Sequence, residues 1–390
     1  MKSWRLKVAI ALGLLVVALV VAVACPLLYW RFRSPSDLRI DESLGIETWT
    51  AVPADAHHSN TDMIRFNGEY LLAHATSPWH FASDKCKLVI RSSADGKSWR
   101  VLAEISVAGE DVRDPKLAVI GGKLFLYFLR NTKKFEAEPT GTAYCVSNDG
   151  ITWTEPENLA NEGWLWWRPR TFDGETFYTP AYWWDHGKSM LFKSTDGVNW
   201  VEVGPIYSGD KNDETAICFR PDGTMIMTAR LEVEPDRWGY HPDARTLLGV
   251  SSPPYTEWKL ADSYETRLDG PYLFQIGERT YACGRRHVGN EKTMGSAWGA
   301  KRTSLYLVEP DRLVFLSDLP SCGDTAYAGI VVDDDSILIS YYTSPPGRDW
   351  PWLMGMLSNS SIEMARIKID ALEKLAAKKL DELSRKKSGE

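Results

Sequence analysis

Six times along the chain an alternating apolar run meets a tight polar turn and a second apolar run. The copies are IRFNGEYLLAH, LAVIGGKLFLYF, RTFDGETFYTP, ICFRPDGTMIMTA, LFQIGERTYAC and IVVDDDSILISYY. A two-residue apolar period on both sides of Gly or Asp predicts a β-hairpin in each. The turns sit at Gly68, Gly122, Gly174, Gly223, Gly277 and Asp335, spaced by 54, 52, 49, 54 and 58 residues. A period near fifty residues with several short strands per unit predicts an all-β fold, a six-bladed β-propeller. A single sheet of this size cannot bury both of its faces, so stacking of successive units has to make the core. Closure of the ring is expected where the strand containing Trp49 pairs beside SSIEMARIKI near the C-terminus.

Two segments break the strand pattern. From Val8 to about Trp30 the chain is continuously apolar and free of charge, long enough to span a bilayer as a transmembrane helix. Lys2, Arg5 and Lys7 precede it and Arg31 and Arg33 follow. Ala22-Val23-Ala24 before Cys25 resembles a signal-peptidase site, but the apolar run continues from Pro26 to Trp30, which favours an uncleaved anchor. On either reading the propeller is exported to the extracytoplasmic side, periplasmic or cell-surface. Past Arg366, Leu372, Leu375, Ala376, Leu380 and Leu383 recur at helical spacing among Lys and Glu, predicting a short amphipathic helix with a basic end. The domain plan is therefore an anchor over 1–34, a propeller over 35–370 and a tail over 371–390.

Bulk properties narrow the partners. A net charge of −7 speaks against nucleic acid. Outside the anchor, Cys86, Cys145, Cys218, Cys283 and Cys322 include no C-x-x-C pair and no metal spacing against the seven His. Neither a metal nor another cofactor is expected. Most of these cysteines read as buried strand residues; one disulfide among them is allowed and cannot be assigned. Of the 17 Trp, four belong to hairpin-turn phrases and others cluster at 164–167, 183–184 and 350–352, where rings either stack on sugars or pack between blades. The sequence does not address oligomeric state.

In a propeller blade the start of the inner strand and the loop after the second strand converge on one axial mouth. Those positions hold Asn60 to Asp62 and Asp84, Arg113 and Asp114, Arg168 and Arg170, Glu214 and Arg230, Asp269 and Arg302, and Asp324 and Tyr327. Arginine captures carboxylates with two prongs. The convergence predicts a small anionic or polyhydroxyl ligand on the axis.

The phrases SADGKSW, SNDGITW and STDGVNW, with a worn copy SSPPYTEW, look like the Asp-boxes of sialidases and related propellers. Their carboxylates, Asp95, Asp149 and Asp196, are expected to hold hairpin turns. NDETAICFRPDGTMIMTAR resembles the fourth-blade segment of the sialidase family, and that resemblance puts Glu214 at the catalytic base and Arg230 at a carboxylate-binding arginine. KRTSLYL resembles the segment bearing another such arginine, Arg302, and GDTAYAGIVV places Tyr327 at the catalytic tyrosine. VRDPKLAVIGGKLFLYF and RPRTFDGETFYTPAY resemble the second and third blades. Asp84 stands where the family's acid/base aspartate does. The first blade departs from the pattern: Asn60 or Thr61 occupies the place of the first of three arginines, and Arg113 is the candidate to lend its charge.

The resemblance implies an exo-glycosidase acting with retention on a glycan, a terminal acidic sugar or a related one. Tyr327 would be the nucleophile, Glu214 its base and Asp84 the acid/base. Arg230 and Arg302 would fix the substrate, with Arg113, Asp114, Arg168, Arg170, Asp269, Asp324 and Asn60 lining its pocket. A propeller that binds glycan without cleaving it, and a hydrolase or lyase for another polysaccharide, are the alternatives.

Overall fold

The computed structural model describes residues 2–32, 37–132, 139, 141–234, 243–289 and 295–388. Arg33, counted above with the charges flanking the anchor, lies outside the described residues. Six sheets follow one another around a ring. The first comprises His57–Phe66, Glu69–Ser77, Lys87–Ser93 and Arg100–Ile105. The second runs from Asp111–Ile120 to Glu157–Asn158, the fourth from Asn212–Phe219 to Lys259–Ser263, and the fifth from Asp269–Ile276 to Arg312–Asp318. In the third blade the inner edge is broken into Trp164–Trp166 and Arg170–Thr171, both paired with Phe177–Trp183. Pro169 falls in the gap, and a residue without an N–H cannot continue the ladder.

The sixth blade closes the ring. Thr325–Val332, Ser336–Thr343 and Ser361–Lys368 are completed by Glu47–Val52, with Trp49 opposite Met364. Joining the two ends of the chain in one sheet ties the ring shut and protects what would otherwise be an open edge.

Five inner strands share one irregularity near their start. Pairing slips between Ser59 and Asp62, Arg113 and Lys116, Asn212 and Thr215, Asp269 and Tyr272, and Ala326 and Gly329. A bulge inserts a residue and re-aims its side chain. In four of these bulges a residue takes a left-handed conformation: Asn60, Asp114, Gly270 and Tyr327, with φ of 49°, 54°, 61° and 48°. The fold thus turns the first turn of each strand inward, onto the axis.

The outer hairpins are held differently. Asp95 Oδ1 accepts the N–H groups of Lys97 and Ser98 at 2.8 and 2.9 Å, and the Trp99 indole donates to Gly96 O. Asp149 and Asp196 repeat the arrangement with the N–H groups of Ile151 and Thr152 and of Val198 and Asn199. Backbone donors hold the carboxyls of Asp95 and Asp149 down at about 2.

The N-terminal helix, Lys2–Phe32, contains one stretch, Trp4–Tyr29, long and apolar enough to cross a membrane. The C-terminal helix, Ile369–Ser388, buries Leu372, Leu375 and Ala376 against Phe274, Tyr281, Leu316 and Ile337, so it packs on blades five and six. Cys86, Cys145, Cys218, Cys283 and Cys322 are buried free thiols. Among the described residues no disulfide joins two cysteines. Of the tryptophan clusters, Trp166 and Trp167 are packing residues, each 1% exposed, whereas Trp184 is open to solvent.

Candidate active site

At the centre of the ring the hydroxyl of Tyr327 donates to Glu214 Oε1, joining blade six to blade four across the axis. Tyr327 owes its inward pose to its left-handed backbone and to the lack of a side chain at Gly270. A Cβ on Gly270 would lie 2.7 Å from Tyr327 Cδ2, and Gly270 itself has φ +61°. The Gly270 N–H donates to Glu214 Oε2 at 2.7 Å, and Arg230 Nη1 reaches the same oxygen at 3.1 Å. Every oxygen of Glu214 therefore has a partner in the axial ring.

Burial pushes the Glu214 carboxyl up to about 7, against the opposing pull of the Arg230 guanidinium. Burial and the adjacent Glu214 carboxylate push the Tyr327 phenol well above its ordinary value. A proton acceptor near neutrality beside a phenol is the arrangement that phenolate-forming chemistry needs.

Arg230 is gripped from below by both oxygens of Asp213, its Nε lying 2.7 Å from Oδ1. Arg113 pairs with both oxygens of Asp111, whose Oδ2 also accepts the Ser83 N–H at 2.8 Å. That contact anchors the turn carrying Asp84, which is exposed to solvent. Asn60 faces the axis and donates to Asp114 Oδ1. It takes the bulge position in blade one that Asp114 takes in blade two and Tyr327 in blade six.

Three of the expected pocket residues do other things. Arg168 is buried under the mouth, donating to Asp62 Oδ1 at 2.9 Å and to the carbonyls of Pro271, Thr61 and Ala328. It clamps blades one, three, five and six together. Arg170 lies over the Tyr272 ring, 4.5 Å from its centroid. Arg302 is fully buried, donating to Lys301 O at 2.8 Å and pairing with Asp349 at 2.9 Å. It sits on the third strand of blade five, two ladder positions outward from the axis, and the structure does not bring it to Tyr327.

The cation that blade five does supply is Arg285, on its second strand. Its guanidinium lies 5.2 Å from the Tyr327 ring centroid and reaches Asp324 Oδ1 at 3.1 Å and the Tyr342 hydroxyl at 2.7 Å. A signal for it existed in the chain: Arg285 follows Asp269 by the same sixteen residues by which Arg230 follows Glu214. Trp352, from the 350–352 cluster, stands beside Arg285. From the segment after blade six's second strand it donates to Asp324 Oδ1 at 2.9 Å and lies over Arg285 and Lys301. Asp269 is held well below the usual carboxylate range, burial notwithstanding, by Arg267, His287 and Arg230.

No protein-family model matches the chain, and no curated protein sequence matches it. Solved structures do. A Dyadobacter fermentans protein of unknown function superposes with TM-score 0.58 at 15% identity, covering 83% of this chain and 99% of that one. The endosialidase of phage phi92 gives TM-score 0.62 at 10% identity, over 83% and 69%. A sialidase of Trypanosoma rangeli, solved with sialic acid, gives 0.57 at 14% identity, over 85% of this chain and 60% of its own. The chain spans about three fifths of that sialidase. At such identities the likeness establishes a sialidase-like propeller fold and leaves the chemistry to the site itself.

Proposed function

We propose that the protein is a retaining glycoside hydrolase built on the sialidase plan. The observation that carries this reading is the hydrogen bond from Tyr327 to Glu214 at the centre of the ring. In the first step the Tyr327 oxygen attacks the anomeric carbon, Glu214 takes the phenol proton, and the leaving oxygen departs with a proton from an acid. In the second, water attacks the anomeric carbon and gives a proton to the carboxylate the acid became, the tyrosyl bond breaks, and Glu214 returns its proton to the Tyr327 oxygen. A phenol with a paired base spares the site a second negative charge beside the substrate.

The acid comes from the side of the mouth formed by blades one and two, where Asp84 rides its exposed turn and Asp114 stands on the axial ring. The two are separable. Losing the acid cripples substrates with poor leaving groups and spares nitrophenyl glycosides, whose leaving group needs no proton.

The arginines argue for a neutral terminal sugar over an acidic one. Among the described residues, Arg113, Arg230, Arg267 and Arg285 each already pair with a carboxylate of the chain, respectively Asp111, Asp213, Asp269 and Asp324. An incoming sugar carboxylate would compete with four built-in ones, whereas sugar hydroxyls can bond to such pairs without displacing them. The N-terminal helix would keep the propeller at the membrane, on the extracytoplasmic side. A panel of nitrophenyl glycosides, sialosides included, offered to the full chain in detergent tests this reading. Turnover of a neutral glycoside above that of any sialoside is expected; no turnover of any member counts against the enzyme.

A further inference from the structure

Where blades one and six meet at the mouth, three side chains from distant parts of the chain turn toward one point. His57 opens the inner strand of blade one, His80 follows that blade's second strand, and Asp324 precedes the inner strand of blade six. His57 Nε2 lies 3.3 Å from Asp324 Oδ2, and His80 Nδ1 lies 2.7 Å from the same oxygen. All three ligand atoms fall within 4.8 Å of one another.

The surroundings fix how each group must act. Asp324 Oδ1 accepts from Arg285, Tyr342 and Trp352 at 3.1, 3.0 and 2.9 Å, which locks the carboxylate and leaves Oδ2 to the histidines. His57 Nδ1 lies 2.8 Å from the carbonyl of Ser358. A carbonyl only accepts, so Nδ1 carries a proton and Nε2 is the ring nitrogen left to face Asp324. That Nε2 is fully buried and has no hydrogen-bond partner. The buried Nε2 is aimed at Asp324 Oδ2 from 3.3 Å, and a cation bound by both groups satisfies that arrangement.

We propose that His57, His80 and Asp324 bind a divalent transition-metal ion of the zinc kind. Two imidazole nitrogens and one carboxylate oxygen suit such an ion better than calcium or magnesium, which prefer all-oxygen shells. Ligand bonds of about 2.0–2.1 Å in tetrahedral geometry separate neighbouring ligand atoms by roughly 3.3 Å, the spacing found between His57 and Asp324. The His57 N–H to a backbone carbonyl is the outer contact that orients a ligating imidazole. His80, with its side chain 24% exposed, gives the ion a way in and leaves a fourth position on the solvent side. Metal bonds to both groups would replace the direct His80–Asp324 contact, and that oxygen–nitrogen distance should open by about half an ångström. The ligands are separated by 23 and 244 residues, which is why no local spacing announces them.

The test uses the full chain in detergent, stripped with a chelator and dialysed. Zn²⁺ should bind with one equivalent in competition with a chelating dye and raise the melting temperature. Co²⁺ should give the intense visible absorption of a four-coordinate site. His80→Ala and His57→Ala should each weaken Zn²⁺ binding by on the order of tenfold or more. His186→Ala, in the separate His186–Asp213–Glu232 group, should leave binding unchanged. Because His57 is buried, His80→Ala decides the matter if His57→Ala fails to fold. No stoichiometric binding by the wild type, binding untouched by His80→Ala, or binding lost in His186→Ala would overturn the proposal.

Discussion

The outer turns and the axial mouth both depend on carboxylates, and they use them in opposite ways. Asp95 and Asp149 are solvent-exposed, satisfied by backbone N–H groups, and held at about 2. Glu214 is buried, shares its oxygens among a phenol, an arginine and one N–H, and is pushed up to about 7. The first kind fastens a turn and contributes stability. The second kind is held where its charge is disfavoured, a state that a folded protein keeps for chemistry.

Breaking the axial pair should have the largest effect. Tyr327→Phe removes one oxygen and almost no packing volume, so kcat should fall on the order of 10³-fold or more while the melting temperature hardly moves. Gly270→Ala attacks the same pair indirectly. The added methyl would meet the Tyr327 ring, and the backbone would be strained at φ +61°. Its expected signature is a large loss of kcat together with a lower melting temperature, read by calorimetry.

The two carboxylates also differ in the sign of their pH linkage. Glu214 has a folded value above its ordinary 4.5, so its stabilising contribution is present below about 4.5 and is lost as pH rises through about 7. Glu214→Gln should remove that loss, on the order of 3 kcal/mol across the window, as seen by denaturant titrations at several pH values. In the wild type kcat/KM should rise through pH about 7 as the base ionises. Asp95 runs the other way: its contribution is present above about 3.8 and fades as pH falls toward about 2. Asp95→Ala is expected to have the smallest effect, a melting temperature lower by a few degrees with kcat/KM unchanged. A loss of activity in that variant would erase the distinction between the two regions.

The fold was readable because the hairpin repeat is local and occurs in every blade. Glu214 and Tyr327 were readable because each sits in the bulge at the head of an inner strand, a place that repeat phase alone locates. Blade five misled the reading. Arg302 and Arg285 both lie at the mouth end of their strands, but Arg302 is on the third strand and Arg285 on the second, opposite Asp269. Distance from the axis grows with each strand, and nothing in KRTSLYL records it. Trp352 and the His57–His80–Asp324 group depend on ring closure bringing the ends of the chain together, which no short motif encodes.

The most direct test is to trap the intermediate on the full chain with a fluorinated analogue of whichever glycoside the panel shows to be turned over. Digestion and mass spectrometry should find the sugar on Tyr327, with no adduct in Tyr327→Phe. An adduct on a carboxylate, or turnover that inverts the anomeric centre, would contradict the account.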